Sequence, residues 1–321
     1  MTSKLLAFAT ALFATTIALA QQADFPARPI RILVPYTPGG ADVQFRALAP
    51  TLTAKLGQSL LIENVPGAGG IIATNQIKNS APDGYTLYFT GTATLTMLPN
   101  MRKDVTFSLN DFAPISNITG TAGAVVVRAN PAWETVKEFQ SWSKRNPGKV
   151  NLGTSGTGTL THIYGAAMQT LADIQFTHVP FKGVADAVNA MVAGNIDIVF
   201  GLPGVMIPHI KSGKLRAIAT TGGARSEFLP DVPTLQESGY DFVDIARFGL
   251  FAPEGVPQPV LQRLALALEE AVKSPDYHAL MQKGYTSVLY HSPADYRKVL
   301  EEENRRWATL LANPRFAQAM K

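Results

Sequence analysis

The chain has 321 residues, of which 46% are hydrophobic, and a formal net charge of +4 at pH 7. This length is near the point at which one core divides into two, and the composition excludes a disordered chain, so two globular domains are expected. The sequence has no cysteine, which excludes disulfides and thiol chemistry, and its positive charge is too dispersed to form a nucleic-acid-binding stripe.

The first twenty residues have the pattern of a secretory signal peptide. Lys4 precedes an apolar run that ends at Leu19, and the small residues up to Ala20 resemble a cleavage site before Gln21. The run is short for a membrane span, and a retained membrane anchor is the alternative. We therefore expect export to the periplasm, with residues 1–20 removed by cleavage near Ala20.

Strands and helices are predicted to alternate in the first half of the chain. Buried strands are expected at residues 30–35, Leu60–Asn64 and residues 85–90, each followed by a loop rich in glycine or small hydroxyl residues. Asp42 is expected to cap the helix after the first strand, and Pro50 predicts a kink or an early end of that helix. The alternation predicts a mostly parallel α/β sheet, whose ligands bind at the carboxyl ends of the strands.

The same pattern restarts near Gly123, which divides the chain into two lobes. We place the first lobe at residues 25–123 plus 243–321 and the second lobe at residues 124–242. No flexible linker joins the lobes, so the chain is expected to cross between them more than once.

Residues 151–162 predict a short strand, a glycine-rich turn and the start of a helix. Glycines let the backbone approach a ligand, and the unpaired amides at a helix N-terminus favour an anion. Three known motifs are excluded by single residues. A phosphate loop would have lysine where Thr159 stands, and a nucleophile elbow would have glycine at Thr157. A dinucleotide-binding fingerprint would have glycine at Thr161. The stretch therefore predicts an anion cradle of amides and hydroxyls, with a tight turn that binds nothing as the alternative.

Seven short motifs occur in the order in which they occur in a known protein family. They are Ile32-Leu-Val-Pro-Tyr-Thr-Pro-Gly-Gly40, Glu63-Asn-Val-Pro-Gly-Ala-Gly-Gly70, Pro82-Asp-Gly-Tyr-Thr-Leu87, Gly153-Thr-Ser-Gly-Thr-Gly158 with His162, Val179-Pro-Phe-Lys-Gly183, Pro230-Asp-Val-Pro-Thr234 and Phe248-Gly-Leu-Phe-Ala-Pro253. Over essentially the whole mature chain, the sequence resembles the Bug family, the TctC-like extracytoplasmic solute receptors of tripartite tricarboxylate transport systems.

The resemblance implies a periplasmic-binding-protein-like type II α/β fold, in which two α/β lobes close on a ligand in the cleft between them. It implies a receptor rather than an enzyme, with a small carboxylate, such as an aromatic or aliphatic dicarboxylate, as its ligand. The implied partner is a membrane permease of large and small subunits. We expect a monomer with no cofactor, metal ion or nucleic-acid partner, since none of the five histidines has a metal-binding spacing.

The resemblance also implies which residues hold the ligand, mainly through backbone amides and hydroxyls of one loop from each lobe. The first-lobe residues are Tyr36, Thr37, Pro38, Gly39, Gly40 and Asp42. The second-lobe residues are Ser155, Gly156, Thr157, Gly158 and Thr159, with His162 behind them. For His162, orienting the cradle and contacting the ligand are both open.

This chain departs from the family pattern at two places. The family has two residues between its Gly-Gly pair and the acidic residue, whereas Ala41 alone precedes Asp42 here, so the contacts of this loop are expected to shift. The family often has tryptophan where this chain has Arg247, which would clamp a second carboxylate or form a salt link within the protein. Phe200 and Tyr36 would stack on a flat ligand or belong to the core.

Two other functions are compatible with the sequence. A periplasmic hydrolase or lyase would use Ser155 as nucleophile with His162 and an acid such as Asp42, although no motif places these residues together. A receptor that presents its liganded form to a membrane sensor kinase would bind the same class of ligand. Loss of turnover on Ser155→Ala would indicate the enzyme, and isolation of the membrane partner would separate sensing from transport.

Overall fold

The computed structural model describes residues 25–39, 41–129 and 133–320. The predicted signal peptide and Gly40 lie outside the described residues. The chain divides into two compact units of three segments each. The first contains the chain up to Thr119, Phe248–Leu280 and Val288–Glu301, and the second contains Gly120–Arg247, Met281–Ser287 and Glu302–Lys321.

The described residues form strands and helices in a mixed α/β order. The strands are β1 (Ile30–Val34), β2 (Leu60–Asn64), β3 (Thr86–Gly91), β4 (Phe112–Ala122), β5 (Ala124–Arg128), β6 (Val150–Thr154), β7 (Phe176–Pro180), β8 (Ile198–Gly201), β9 (Leu215–Thr220), β10 (Ile245–Pro253) and β11 (Val288–His291). The helices are α1 (Ala41–Leu56), α2 (Ile71–Lys78), α3 (Ala93–Thr96), α4 (Leu98–Met101), α5 (Val136–Arg145), α6 (Leu160–Ala172), α7 (Val184–Val192), α8 (Ile207–Lys211), α9 (Gln258–Val272), α10 (Pro275–Lys283), α11 (Pro293–Leu311) and α12 (Pro314–Ala319).

A six-stranded sheet in the order β11-β4-β10-β3-β1-β2 lies largely in the first unit. β1 pairs in parallel with β2 and β3, whereas β10 is antiparallel to β3 and β11 is antiparallel to β4. The parallel part is the one predicted from the first half of the sequence. It brings the carboxyl ends of β1, β2 and β3 to one edge of the sheet, where their loops follow.

Helix α1 covers this sheet with a single apolar face. Phe45, Leu48, Leu52 and Leu56 recur at helical spacing and are buried, and the helix packs against α9. The helix does not end early at Pro50 but continues to Leu56, with Pro50 on its exposed face. Its first residue is Ala41, so Asp42 lies inside the first turn rather than at the cap position.

The second unit contains a five-stranded sheet in the order β7-β6-β8-β5-β9. β6 is parallel to β7 and β8, and β5 is antiparallel to β8 and β9. Helix α6 lies close to β6, because a Cβ atom at Gly165 would be 2.3 Å from a methyl carbon of Leu152. This close packing sets the path of the turn that joins β6 to α6.

The second unit differs from the predicted second lobe at its carboxyl end. The prediction assigned all of residues 243–321 to the first lobe, whereas the second unit includes residues 243–247, Met281–Ser287 and Glu302–Lys321. The physical reason is that α12 packs on α6, and the side chain of Arg315 pairs with that of Asp173 at 2.9 Å. In the ranges that the structure describes, no helix is long and apolar enough to cross a membrane.

Candidate functional site

The first turn, residues 36–42, joins β1 to α1 in the first unit. Gly39 has a φ of +100°, a conformation that favours glycine, and its N–H donates to Oδ1 of Asp42 at 2.6 Å. The Asp42 side chain is 0% exposed. With only Ala41 between the Gly-Gly pair and the acidic residue, Asp42 thus reaches back to close the turn.

The carboxylate of Asp42 is fully engaged by its neighbours. Its Oδ2 accepts hydrogen bonds from Nε of Arg46 at 2.8 Å and from Nδ2 of Asn64 at 3.3 Å. Burial would raise the pKa of Asp42, but the hydrogen bonds from Arg46, Asn64 and the Gly39 N–H together lower it below its ordinary value. Asp42 therefore remains ionised and fixes the backbone of the first turn.

Tyr36 is also held in place within the first unit. Its hydroxyl accepts the Gly91 N–H at 2.8 Å and lies 3.3 Å from the hydroxyl of Thr90. Its ring meets that of Phe248 edge to face, with centroids 6.0 Å apart. Burial raises the pKa of Tyr36, so its hydroxyl is neutral at pH 7. Among the described residues of this turn, Thr37, Pro38 and Gly39 are exposed.

The second turn, residues 155–159, joins β6 to α6 in the second unit. Four of its five N–H groups donate hydrogen bonds within that unit. The donors and acceptors are Ser155 to Thr161 Oγ1 at 2.8 Å, Gly156 to Thr154 Oγ1 at 3.2 Å, Gly158 to His162 Nδ1 at 3.1 Å and Thr159 to the Gly156 carbonyl at 3.3 Å. Within the described ranges, the N–H of Thr157 has no acceptor.

The glycine amides were expected to face the anion, but here they fix the turn. Gly156 and Gly158 have φ values of +117° and +76°, so glycine at these positions allows the chain to reverse without strain. Their amides are used inside the protein, whereas the amide of the exposed residue Thr157 has no acceptor among the described residues. The first amides of α6, at Leu160 and Thr161, are likewise without an acceptor among the described residues.

Three hydroxyl groups line the start of α6. The oxygens of Ser155, Thr159 and Thr161 lie 3.0 to 3.1 Å from one another. Thr161 is buried, and its hydroxyl oxygen also accepts the Ser155 N–H, so it holds the other two hydroxyl groups in place from the interior of the unit. Ser155 and Thr159 are partly exposed. Hydroxyl groups of this kind donate to a carboxylate without a fixed positive charge.

Two histidines lie behind the second turn. The rings of His162 and His178 stack with centroids 4.0 Å apart and planes 6° apart. Nδ1 of His162 accepts the Gly158 N–H, and Nε2 of His178 lies 2.7 Å from Oγ1 of Thr154. The His162 side chain is 1% exposed, and burial, with the nearby His178 ring, lowers its pKa to about 4. Both geometry and pKa fit a neutral His162 that orients the turn.

The residues of the hydrolase alternative are not assembled as a catalytic group. The Ser155 hydroxyl bonds to threonine hydroxyls, and Nδ1 of His162 is occupied by the Gly158 amide. Asp42 is bound by Arg46 and neighbouring amides within the first unit. Activation of a serine needs an oriented base within hydrogen-bond reach, and neither imidazole makes that contact with Ser155 in the described structure.

Phe200 and Arg247 occupy interior positions of the second unit. Phe200 is 1% exposed and packs against Phe176 with ring centroids 6.2 Å apart, which corresponds to the core alternative. The Arg247 side chain is 11% exposed, and its Nη1 lies 3.5 Å from Oε2 of Glu303, whose side chain is 2% exposed. The structure thus places Arg247 in an internal ion pair.

Sequence reasoning missed several residues that support the two turns. Arg46 lies four residues after Asp42 on a helix, a spacing at which opposite charges meet, and could have been found from that spacing. The sequence spacing gave no comparable indication for Asn64, Thr161 and His178. Each of them reaches its partner through pairing between strands or through a turn of irregular backbone. In the described ranges, no group of three or more His, Asp or Glu side chains is placed to hold a metal ion.

Comparison with known proteins identifies the family. Residues 44–314 match the family described as TctC, the tripartite tricarboxylate transporter family receptor. The chain belongs to this family. The match includes the second turn and both histidines but begins after the first turn.

Individual known proteins resemble the chain over most of its length. BugT of Bordetella pertussis is 33% identical over 88% of this chain and 88% of its own. The solved TctC solute binding protein from Polaromonas is 28% identical, covers 89% of this chain and 98% of its own, and has a TM-score of 0.80. MatC from Rhodopseudomonas palustris, solved with bound malate, is 27% identical over 89% of this chain and 100% of its own, with a TM-score of 0.75. These structures support a TctC-type periplasmic-binding-protein fold.

Proposed function

We propose that this TctC-family chain is a periplasmic receptor that captures a small carboxylate, an aliphatic or aromatic dicarboxylate, by closing its two lobes on it. The observation that carries the proposal is the second turn, whose amides are used internally except for the exposed Thr157 N–H. The hydroxyl of Ser155 donates to Oγ1 of Thr159, and that of Thr159 donates to the Gly156 carbonyl at 2.7 Å. On rotation towards an anion these hydroxyls, together with the Thr157 amide, offer it neutral donors. The binding of malate by the related MatC supports a carboxylate as the class of ligand.

Neutral donors suit a receptor that must release its ligand unchanged. The N-terminal amides of α6 carry partial positive charge, which stabilises a carboxylate without a lysine or arginine counter-ion. Water displaced on binding would otherwise weaken these interactions. In the first turn, the exposed residues Thr37 and Gly39 are proposed as contacts, while Asp42 holds their backbone.

Isothermal titration calorimetry tests the ligand class. The mature protein, unfolded and refolded to remove any copurified ligand, would be titrated with malate, succinate, adipate, citrate, benzoate and terephthalate at pH 7.5. We expect stoichiometric binding of at least one dicarboxylate, with the ligand recovered unchanged. A refolded protein with native circular dichroism that binds no carboxylate would contradict the proposal, and conversion of the ligand would indicate an enzyme.

Hydroxyl deletions locate the ligand on the second turn. Ser155→Ala and Thr159→Val each remove one proposed donor, and each should weaken binding about fivefold, the effect of one neutral hydrogen bond. Thr170→Val is the matched control, because it removes a hydroxyl from α6, beyond the second turn, that donates to the Ala166 carbonyl at 2.8 Å. Equal affinities of all three variants and the wild type would place the ligand elsewhere.

We further propose that the liganded receptor delivers its carboxylate to a membrane permease of large and small subunits. Membership of the tripartite transporter receptor family supports this partner. Affinity capture with the tagged receptor should retain these permease subunits from detergent-solubilised membranes in the presence of the carboxylate. Capture of a sensor kinase in place of a permease would support the sensing alternative.

Export and oligomeric state have direct tests. We propose cleavage after Ala20, so Edman sequencing of the protein from a periplasmic extract should begin at Gln21. Light scattering after size exclusion should give the mass of a monomer. An intact amino terminus in the membrane fraction would favour the anchored alternative, and a dimer mass would contradict the monomer.

A further inference from the structure

The two glycines of the second turn are both tied to imidazole rings. Gly158 donates its N–H directly to Nδ1 of His162 at 3.1 Å. Gly156 donates its N–H to Oγ1 of Thr154 at 3.2 Å, and that oxygen lies 2.7 Å from Nε2 of His178. The two rings stack on each other at 4.0 Å. One pair of histidines therefore holds the backbone on both sides of Thr157.

The charge state of the rings decides whether these contacts persist. Nδ1 of His162 accepts a hydrogen bond, so it carries a lone pair and the ring is neutral with its proton on Nε2. Protonation would place an N–H on Nδ1 that faces the N–H of Gly158, and the contact would break. A charged His178 carries a proton on Nε2, so the Thr154 hydroxyl cannot donate to that atom and must turn to accept from it while it also accepts from Gly156. Two protonated rings at this separation would also repel each other.

Within the described ranges, the elements that carry the pair provide no counter-charge, and the buried carboxylate of Asp244, which contacts α6, is bonded by the Tyr164 hydroxyl. The strands β6 and β7 and the helix α6, which carry and flank the rings, contain no Asp, Glu, Lys or Arg. The nearest charged residues along the following chain, Lys182 and Asp186, are exposed. Asp173, at the far end of α6, pairs with Arg315. The pair thus lies in an apolar setting in which a neutral imidazole is favoured.

We propose that His162 and His178 are positioning residues that hold the second turn in its carboxylate-binding form only while both rings are neutral, so acidification weakens binding. The inference rests on the proposed function, because it concerns the same turn. Burial lowers the pKa of both rings, that of His162 to about 4, which keeps the turn formed at neutral pH. The affinity of this turn for an anion then depends on the protonation of the two histidine rings as well as on that of the ligand.

Nuclear magnetic resonance of the ligand-free protein tests the histidine pair without any ligand. We expect imidazole nitrogen shifts at pH 7.5 to show a neutral His162 protonated on Nε2. On titration from pH 7.5 to 4, the amide resonances of Gly156 and Gly158 should shift with the midpoints of the two rings. Glycine amides that do not follow either histidine, or a His162 protonated on Nδ1 at pH 7.5, would overturn the inference.

Binding of malate by His178 variants tests the functional consequence. His178→Leu should weaken binding about fivefold at pH 7.5, whereas His178→Gln, whose amide also reaches Thr154, should bind like the wild type. Between pH 7.5 and 4.5, the wild type should lose more affinity than His178→Gln, since titration of malate itself affects both equally. The exposed His278→Gln is the control and should follow the wild type.

The outcomes separate this inference from the proposed function. If wild-type protein binds no member of the carboxylate panel, the proposed function fails, while the resonance titration still decides whether the rings control the turn. If malate or another panel member binds and His178→Gln loses affinity on acidification as steeply as the wild type, the positioning role is overturned and the receptor function stands.

Discussion

The backbone N–H of Gly39 donates a hydrogen bond to the buried carboxylate of Asp42 at 2.6 Å. The second turn contains the same device, in which Gly158 donates to Nδ1 of His162. In both loops, a side chain near the start of the following helix accepts a hydrogen bond from a glycine that has a positive φ and so fixes its position. Each turn is therefore shaped before a ligand arrives, which reduces the ordering that binding requires.

Replacement of Asp42 should destabilise the first turn. Asp42→Ala removes the acceptor of the Gly39 N–H and leaves the guanidinium of Arg46 without this carboxylate, so the free energy of unfolding should fall by about 2 kcal/mol. Urea denaturation followed by circular dichroism measures this change. Asp104→Ala removes an exposed ion pair with Arg102 in the same unit and should have a smaller effect. Equal effects of the two substitutions would argue against an anchoring role for Asp42.

Alanine at Gly158 should be unfavourable because of backbone conformation rather than steric overlap. A Cβ atom at this position would have no other atom within 4 Å, but the φ of Gly158 is +76°, so Gly158→Ala should destabilise the protein by roughly 1 to 2 kcal/mol. Gly183→Ala is the matched control, since Gly183 also has open space around it but an extended φ of −166°. Thermal unfolding compares the two, and a more harmful Gly183→Ala would contradict the conformation of the turn.

Arg247 should matter more for stability than for binding. Its guanidinium pairs with the buried Glu303 at 3.5 Å, so Arg247→Gln should lower the free energy of unfolding by about 2 kcal/mol. The dissociation constant for the carboxylate should change less than twofold, an effect below that of one hydrogen bond. Denaturation and calorimetry on the same preparation test both expectations. A large loss of affinity specific to dicarboxylates would instead assign Arg247 to the second carboxyl group.

Acidification should reduce stability through His162. The ordinary pKa of 6.5 applies to the unfolded chain, and burial lowers the pKa in the folded protein to about 4. Between these values the unfolded chain binds more protons, so the free energy of unfolding falls as the pH falls from 6.5 to 4. The lowered pKa of His178 also makes the free energy of unfolding fall as the pH falls. The raised pKa of the buried Asp244 has the opposite effect and makes the free energy of unfolding rise as the pH falls.

The contribution of His162 can be isolated by a conservative variant. His162→Gln keeps an acceptor for the Gly158 N–H and removes the titration, so its stability should depend less on pH between 6.5 and 4 than that of the wild type. Urea denaturation at several pH values measures the difference. Parallel pH profiles of the two proteins would show that His162 has an ordinary pKa in the folded state.

Much of the fold was predictable because several strands are short apolar runs bounded by turn residues. Leu60–Asn64 has the predicted bounds, and the strands expected at residues 30–35 and 85–90 are found at Ile30–Val34 and Thr86–Gly91. The strand β4 was missed, since its Ser, Asn, Thr and Pro residues give no strand pattern. Several of its polar groups bond to residues far away in the sequence: the Ser116 hydroxyl donates to the His291 carbonyl of β11 at 2.9 Å, and the Thr119 hydroxyl to Oε1 of Gln44 at 2.6 Å. Such a partner cannot be found from local sequence.

The location of the second turn was predictable, but the use of its amides was not. The glycines indicate where the chain reverses, and the hydroxyl residues indicate a polar surface. Gly156 donates its N–H to Thr154, and the hydroxyl of Thr154 is bonded by His178, which β7 brings beside the turn through the parallel register of Leu152 with His178. Pairing between strands decides this contact, and spacing along the chain contains no trace of it.

A crystal structure of the protein with its tightest-binding carboxylate tests the central claim most directly. One carboxylate oxygen should lie about 3 Å from the backbone nitrogen of Thr157 and within hydrogen-bond reach of the Ser155 or Thr159 hydroxyl. The Gly158 N–H should still donate to His162. A carboxylate held by arginine or lysine side chains, with the Thr157 amide facing water, would contradict the account.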